Sequence, residues 1–435
     1  MHTLLKKTSP ALALLGLALG SCQPDLDAPK ADRGSADFTK YVAVGNSLTA
    51  GFMDGGLYRE GQTSSYPAIL AEQFRGVGGG NFVQPLFTAD QSNGSGYLSL
   101  VSLQAAGPVT ANVTTRLALR PGATPTRPLY TKYTDPVNNL GVPGIRMSDI
   151  DIVGYGSTQG NPYFERITPD ANAAQTYRAR VAASAPTFFT YWLGNNDVLG
   201  YATSGGLVPV TPPATFEALN SRIIDDLTLN GAKGLVATIP NVANVPFFTT
   251  VRVADIKARF KAANPALSLY VQATGPNNTT VVREATDADL LVLTSSSVIG
   301  TSTPPNPFPV GAGLSPTQAN PLSTQFVLDP QEQNTVNTTT TAYNNALRSK
   351  ADSKGLAIFD SNAFFAGVAQ NGFTTNGVRN TASFISGNLF SLDGVHPTPR
   401  GYAVIANEMI RAINEKYGST IQQVNPNAYR GILIP

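Results

Sequence analysis

Tyr41-Val42-Ala43-Val44-Gly45-Asn46-Ser47-Leu48-Thr49-Ala50-Gly51 is the stretch whose reading decides the fold. Apolar, β-prone residues run into a Gly, a polar pair and a second Gly. That pattern predicts a buried strand ending in a tight turn, with Ser47 at the strand's carboxyl end. In open α/β sheets this is the edge where ligands bind. A serine there can serve as a nucleophile only if a base and oxyanion donors come from elsewhere in the chain. By itself, Gly-Asn-Ser-Leu is also what an ordinary polar turn looks like.

Outward from this stretch, strands and helices alternate. Tyr66 to Phe74 has apolar residues at helical spacing with Pro67 near its start. The glycine-rich run Gly76 to Gly80 is followed by no Lys-Ser/Thr and reads as a turn rather than a phosphate cradle. Pro186 to Leu193 is apolar on both faces, as parallel strands are, and ends in Gly194-Asn195-Asn196-Asp197. Phe216 to Leu229 predicts a helix, 234–239 a strand, Val253 to Ala263 a helix, and Asp289 to Leu293 a strand. Asn334 to Ser353 reads as a helix, Leu356 to Asp360 as a strand, and Tyr402 to Tyr417 as a final amphipathic helix. Asn139 to Ile145 reads as a loop entering a short helix around Met147 to Ile150. This alternation argues for a parallel, doubly wound sheet. Residues of about 85–138, rich in Gly, Ser, Thr and Pro, and about 245–330, where periodicity blurs, read as insertions on one domain spanning 38–435.

The chain has 435 residues, 42% hydrophobic, enough for a large core. Only 13% are charged, about half the usual share. No basic patch interleaved with aromatic residues is present, which argues against a nucleic-acid partner.

The amino terminus reads as an export signal. Lys6 and Lys7 precede an apolar core from Ala11 to Gly20, and Leu19-Gly20-Ser21-Cys22 closes it with small residues before a cysteine. About ten apolar residues fall short of the ~20 that cross a bilayer as a helix. The segment 1–21 resembles a bacterial lipoprotein signal, which implies lipidation at Cys22, the chain's single cysteine. Residues 22–37 are polar, with Pro24, Pro29 and Gly34, and read as a flexible tether. Without 1–21 the chain holds 28 basic and 28 acidic residues, so the membrane partner would be reached through the lipid and not through charge.

Two histidines exist, His2 and His396, and the first lies in the signal. If an imidazole activates Ser47, it is that of His396. Asp393, three residues earlier in a turn-rich segment, can fix the tautomer of that imidazole. Asn196 could offer its side-chain N–H₂ to an oxyanion, and Gly144 lets its backbone N–H approach a ligand. With one histidine and one cysteine, both otherwise engaged, no metal site is expected beyond carboxylates for hard cations.

Gly45-Asn46-Ser47-Leu48, Gly144, Gly194-x-Asn196-Asp197 and Asp393-x-x-His396-Pro397 resemble, in that order, the four blocks of the SGNH (GDSL-type) hydrolase family. The resemblance implies a three-layer α/β/α, flavodoxin-like sandwich with about five parallel strands. It also implies a cofactor-free ester hydrolase in which Ser47 attacks, His396 is the base and Asp393 orients it. The Ser47 and Gly144 N–H groups and the Asn196 side chain would form the oxyanion hole. The family's first block commonly has Asp before the serine. Asn46 stands there instead, at a position the resemblance makes structural. The resulting expectation is a serine esterase of the bacterial envelope, held on the outer membrane by its anchor, cleaving acyl esters, acetyl esters among them. Two alternatives remain open: a non-catalytic glycan- or ligand-binding lipoprotein on the same fold, and an acyltransferase.

Overall fold

The computed structural model describes residues 31–104 and 107–435. The signal segment, Cys22 and the first part of the expected tether lie outside these residues. Five parallel strands form the centre: β1 (Tyr41–Gly45), β2 (Asn139–Gly141), β3 (Phe188–Trp192), β4 (Lys233–Ala237) and β5 (Ala357–Phe359). They lie in the order β2-β1-β3-β4-β5. In this doubly wound order the chain's progression reverses between β1 and β3, and that is where a crevice opens at the carboxyl edge.

The sheet's two faces follow from side-chain alternation. Val42 and Val44 of β1, Phe189 and Tyr191 of β3 and Val236 of β4 point to one face. There they pack on α2 (Tyr177–Ser184), α3 (Asn195–Thr203), α4 (Pro213–Thr228) and α6 (Pro330–Ser353), the fourth of these coming after α5 (Val253–Ala263) of an outlying unit. Tyr41, Ala43, Phe188, Trp192, Leu235 and Phe359 point to the other face, against α1 (Tyr66–Arg75) and the carboxyl-terminal helix α8 (Pro399–Tyr417). Between β5 and α8 the chain forms α7 (Ser361–Asn371). The result is the three-layer α/β/α sandwich expected from the sequence. Each fully buried Phe, Leu or Ile contributes about 1.5–3 kcal/mol, so the paired faces, with Phe188, Phe189 and Trp192 all at 0% exposure, hold the layers together. Polar atoms on the sheet find partners: the Trp192 indole N–H donates to the Thr238 carbonyl at 3.0 Å, and the Tyr41 and Thr190 hydroxyls meet at 2.8 Å.

Two local readings are corrected. Asn139–Gly141 opens not as a loop but as β2, a three-residue edge strand in register with Ala43 to Gly45. Asp289 to Leu293 is not one strand: Leu290–Leu291 pairs with Val327–Leu328, and Leu293–Ser297 turns into a 3-10 helix. Within 245–330, a four-stranded antiparallel sheet (Ser268–Thr274, Thr280–Glu284, Ala312–Ser315, Gln318–Ala319) packs with α5 around its own core of Phe260, Leu269, Val271 and Leu322. A hairpin, Tyr97–Gln104 with Gly107–Val113, occupies the earlier insertion.

The expected tether also ends sooner than 37. The Ser35 N–H donates to the Tyr417 carbonyl at 2.9 Å, the Thr420 N–H to the Asp32 carbonyl at 2.8 Å, and Ala36 is buried. Among the described residues no helix is long and apolar enough to cross a membrane.

Candidate active site

β1 ends at Gly45, where the chain turns at once into a single helical turn, Ser47–Ala50. The turn is tight: a Cβ on Gly45 would lie 2.0 Å from the Thr49 hydroxyl. Asn46 caps the turn, its side-chain oxygen accepting the Leu48 N–H at 3.1 Å. An amide serves this as well as a carboxylate would, so Asn46 has the structural part expected of it. Ser47 is thus held at the carboxyl edge of β1, 7% exposed. The buried Tyr177 hydroxyl braces this edge, donating to the Leu140 carbonyl at 2.7 Å and accepting the Gly45 N–H at 3.2 Å.

His396 comes from a loop 349 residues away, between β5 and α8, and its Nε2 lies 2.8 Å from the Ser47 Oγ. Its Nδ1 lies 2.9 Å from Asp393 Oδ2. The carboxylate is well fixed. Oδ1 accepts the N–H groups of His396 and Val395 at 2.8 and 2.9 Å and the Ser391 hydroxyl at 3.1 Å, and Oδ2 also accepts the Gly55 N–H at 2.8 Å. Burial pushes the Asp393 carboxyl up, but the neighbouring His396 charge and these donors outweigh it and hold it at about 2. Asp393 is therefore ionised at neutral pH and acceptor-only, which places the Nδ1 proton on its side of the ring and leaves Nε2 as the acceptor facing Ser47.

The oxyanion candidates come from two further loops. Gly144 sits at φ +83°, in the left-handed region. Among the described residues neither its N–H nor that of Ser47, at the start of a helical turn, is bonded to a protein acceptor. Asn196, in the first turn of α3 just beyond β3, donates one side-chain N–H to the Ile145 carbonyl at 2.9 Å, leaving its second for a ligand. The five predicted residues are thus brought together: Ser47, Asn196 and His396 line one small cavity of about 50 Å³, Asp393 stands behind the imidazole, and Gly144 adjoins the carbonyl that holds Asn196. Leu48, Leu199, Pro240, Val242, Val245 and Val395, with Asn46 and Asn195, form the rest of the cavity wall.

Sequence reasoning did not single out the residues that position this set. Asp197 is fully buried and accepts the Met147 N–H at 2.8 Å and the Thr211 hydroxyl at 2.5 Å, clamping the Gly144 loop to the start of α3. Burial pushes its carboxyl up to about 6. Its adjacency to Asn196 was the available signal. Asp54, at φ +53° in the Met53–Gly56 turn, donates its N–H to Ser391 Oγ at 2.8 Å and accepts the Leu392 N–H at 2.9 Å and the Tyr58 hydroxyl at 2.7 Å. It docks the loop carrying Asp393 and His396 against the segment after Ser47, and nothing local in the sequence announces it. Among the described residues no group of three or more His, Cys, Asp or Glu is placed to hold a metal ion.

Chemically, the arrangement can deprotonate a hydroxyl, hold the imidazolium that results, and donate hydrogen bonds to an oxygen developing negative charge beside it. No curated protein sequence matches the chain. Among solved structures, an α/β hydrolase from the metagenome of Lake Arreo, Spain, aligns at 14% identity and TM-score 0.37, over 87% of this chain and 96% of that one. An acetyl xylan esterase from Geobacillus stearothermophilus aligns at 12% and 0.36, over 89% and 99%. An extracellular lipase from Streptomyces rimosus aligns at 12% and 0.32, over 87% and 99%. The family model of GDSL-like lipases and acylhydrolases matches residues 41–409, from the first residue of β1 to well inside α8. With the four blocks on one sheet edge and that match spanning most of its length, the chain belongs to the GDSL-like lipase/acylhydrolase family, the SGNH hydrolases.

Proposed function

We propose that the protein is a serine esterase that removes short acyl groups, acetyl among them, at the bacterial envelope. The observation that carries the mechanism is the relay Ser47 Oγ–His396 Nε2 at 2.8 Å and His396 Nδ1–Asp393 Oδ2 at 2.9 Å. Ser47 Oγ attacks the ester carbonyl carbon while His396 Nε2 takes its proton. The carbonyl oxygen becomes an oxyanion facing the Ser47 and Gly144 N–H groups and the free N–H of Asn196. Asp393 stabilises the imidazolium, which then protonates the leaving alcohol as the carbon–oxygen bond breaks. A water, deprotonated by the same imidazole, releases the acyl group from Ser47.

The short-acyl reading is supported by the cavity at Ser47. Its volume of about 50 Å³ lies well below the roughly 300–1,000 Å³ of sites that enclose a drug-sized ligand, and its wall is largely aliphatic. An acetyl group fits such a space and a long chain does not. The envelope location rests on the sequence from Lys6 to Cys22.

The test is a panel of acetyl, butyryl and long-chain p-nitrophenyl esters with purified protein and its Ser47→Ala form. Turnover that falls with chain length and disappears in the variant is expected; equal turnover by both forms would refute the role given to Ser47. For location, Cys22→Ser protein should leave the membrane fraction or remain uncleaved, and unchanged processing with retained membrane association would refute lipidation.

A further inference from the structure

Beside the cavity at Ser47 lies a second, larger depression of about 810 Å³, inside the roughly 300–1,000 Å³ range of small-molecule sites. The turn Val242–Asn244 and the residues after it form the shared wall. Val242 and Val245 line the cavity at Ser47, whereas Asn244, Thr249 and Arg252 line the groove. The same wall touches the loop of Asp393 and His396, because the Phe247 N–H donates to the Gly394 carbonyl at 2.9 Å. The far side of the groove is made by the end of α7 and the segment after it, including Gln370, Arg379, Ser383 and Phe384. The segment therefore runs from the groove directly into the loop that carries His396.

Two charged side chains line this groove, Arg379 and Arg252, both cationic. Residues 361–390 contain a single charged side chain, Arg379, and residues 240–254 a single one, Arg252. Arg252 is paired with Asp255, one turn into α5, at 2.8 and 3.1 Å. Arg379 donates to the Asn371 carbonyl at 3.1 Å and, among the described residues, has no carboxylate partner. A guanidinium so placed keeps donors free for a planar anion and suits a carboxylate bidentately. The remaining wall alternates amides and hydroxyls with small apolar side chains (Ala366, Val368, Ala369 and Ala382) and one half-buried ring, Phe384, that can lie against the apolar face of a sugar.

We propose that this groove binds the alcohol portion of the substrate, and that this portion is an acidic glycan whose uronic-acid carboxylate is held by Arg379, with Arg252 as the second cation. This rests on the esterase reading and adds to it the class of the leaving group. The acyl group enters the small aliphatic cavity, and the sugar chain crosses the Val242–Asn244 wall into the groove.

The test uses the full exported protein and separates the two readings. Binding is measured by calorimetry with Ser47→Ala protein, which retains the ligand, against a uronic-acid oligosaccharide and a neutral xylo-oligosaccharide of equal length, at low and high salt. At least tenfold tighter binding of the acidic chain is expected, weakening with salt and lost in an Arg252→Ala/Arg379→Ala background. In turnover, the double substitution on the wild-type site should raise KM for an acetylated acidic oligosaccharide about tenfold while leaving p-nitrophenyl acetate hydrolysis unchanged. Equal binding of both oligosaccharides, or acidic binding that survives the double substitution, would overturn the proposal. So would arginine-dependent sedimentation with vesicles of anionic phospholipid in the absence of oligosaccharide binding, which assigns the groove to a lipid surface. If wild-type protein fails on p-nitrophenyl acetate, the esterase reading falls, and the binding arm still decides the groove.

Discussion

Asp393→Asn tests the logic of the site most directly, because the structure assigns a donor to each lone-pair direction of the carboxylate in use. Oδ1 faces three donors, from His396, Val395 and Ser391, and Oδ2 faces two, from Gly55 and His396 Nδ1. An amide will keep its oxygen on the three-donor side, so its NH₂ takes the place of Oδ2. There it opposes the Gly55 N–H and can donate to Nδ1 only if the imidazole proton moves to Nε2. That tautomer points a proton at Ser47 and removes the base, for an expected loss of about 10⁴ in kcat. Stability changes too. The native carboxyl sits at about 2 instead of 3.8, which corresponds to about 2 kcal/mol of folding stability at neutral pH. Because the folded value is the lower one, this contribution is complete above pH ~4 and is lost as pH falls towards 2. The variant lacks it. Its stability deficit, measured by denaturant unfolding, should therefore be largest near pH 7 and shrink between pH 4 and 2. Initial rates on p-nitrophenyl acetate and unfolding curves at pH 7 and 3 are the assays. A rate within tenfold of wild type, or a deficit that grows on acidification, would refute this account of Asp393.

Ser47→Ala and His396→Ala should each remove nearly all hydrolysis, and the double variant should be no worse, since nucleophile and base act as one unit; a His396→Ala protein with near wild-type rates would end the mechanism. Asn196→Ala should lower kcat about 10²–10³-fold with KM little changed, as read from steady-state kinetics on the acetyl ester. Val245→Ala, which enlarges the cavity at Ser47, should raise the ratio of butyryl to acetyl turnover, and an unchanged ratio would remove the cavity from acyl selection.

Much of this was legible because the informative pieces are local. The pattern from Tyr41 to Gly51 specifies a buried strand and its turn, and the runs at Pro186 and Gly234 specify strands apolar on both faces. With one histidine outside the signal, the base could be chosen by elimination. What escaped depends on partners distant in sequence. Three-residue β2 contains Gly141 and is a strand only because β1 lies beside it. The strand Ser268–Thr274 does carry alternation, with Leu269, Val271 and Ala273 facing the small core, but its partners are strands of only four and five residues, one of them about 40 positions away in sequence. Asp54 acts on residues about 338 positions away, and a lone aspartate in a turn gives no hint of that. Asp197 could have been inferred from its neighbour Asn196, yet its partners Met147 and Thr211 could not.

The clasp between Asp32–Ser35 and Tyr417–Thr420 sets a direction for the whole molecule. The Tyr417 hydroxyl bonds to Gly234 at the beginning of β4, and the Lys40 carbonyl accepts the Thr187 N–H at the beginning of β3, so the chain enters the sandwich at the amino edge of the sheet. Ser47, Asn196 and His396 lie at the opposite, carboxyl edge. Cys22 lies nine positions before Ala31, and that span of chain can reach at most about 30 Å. An anchor at Cys22 would therefore hold the amino edge close over the lipid headgroups and turn the cleft outward, towards polymers in the surrounding medium and away from the bilayer's own esters.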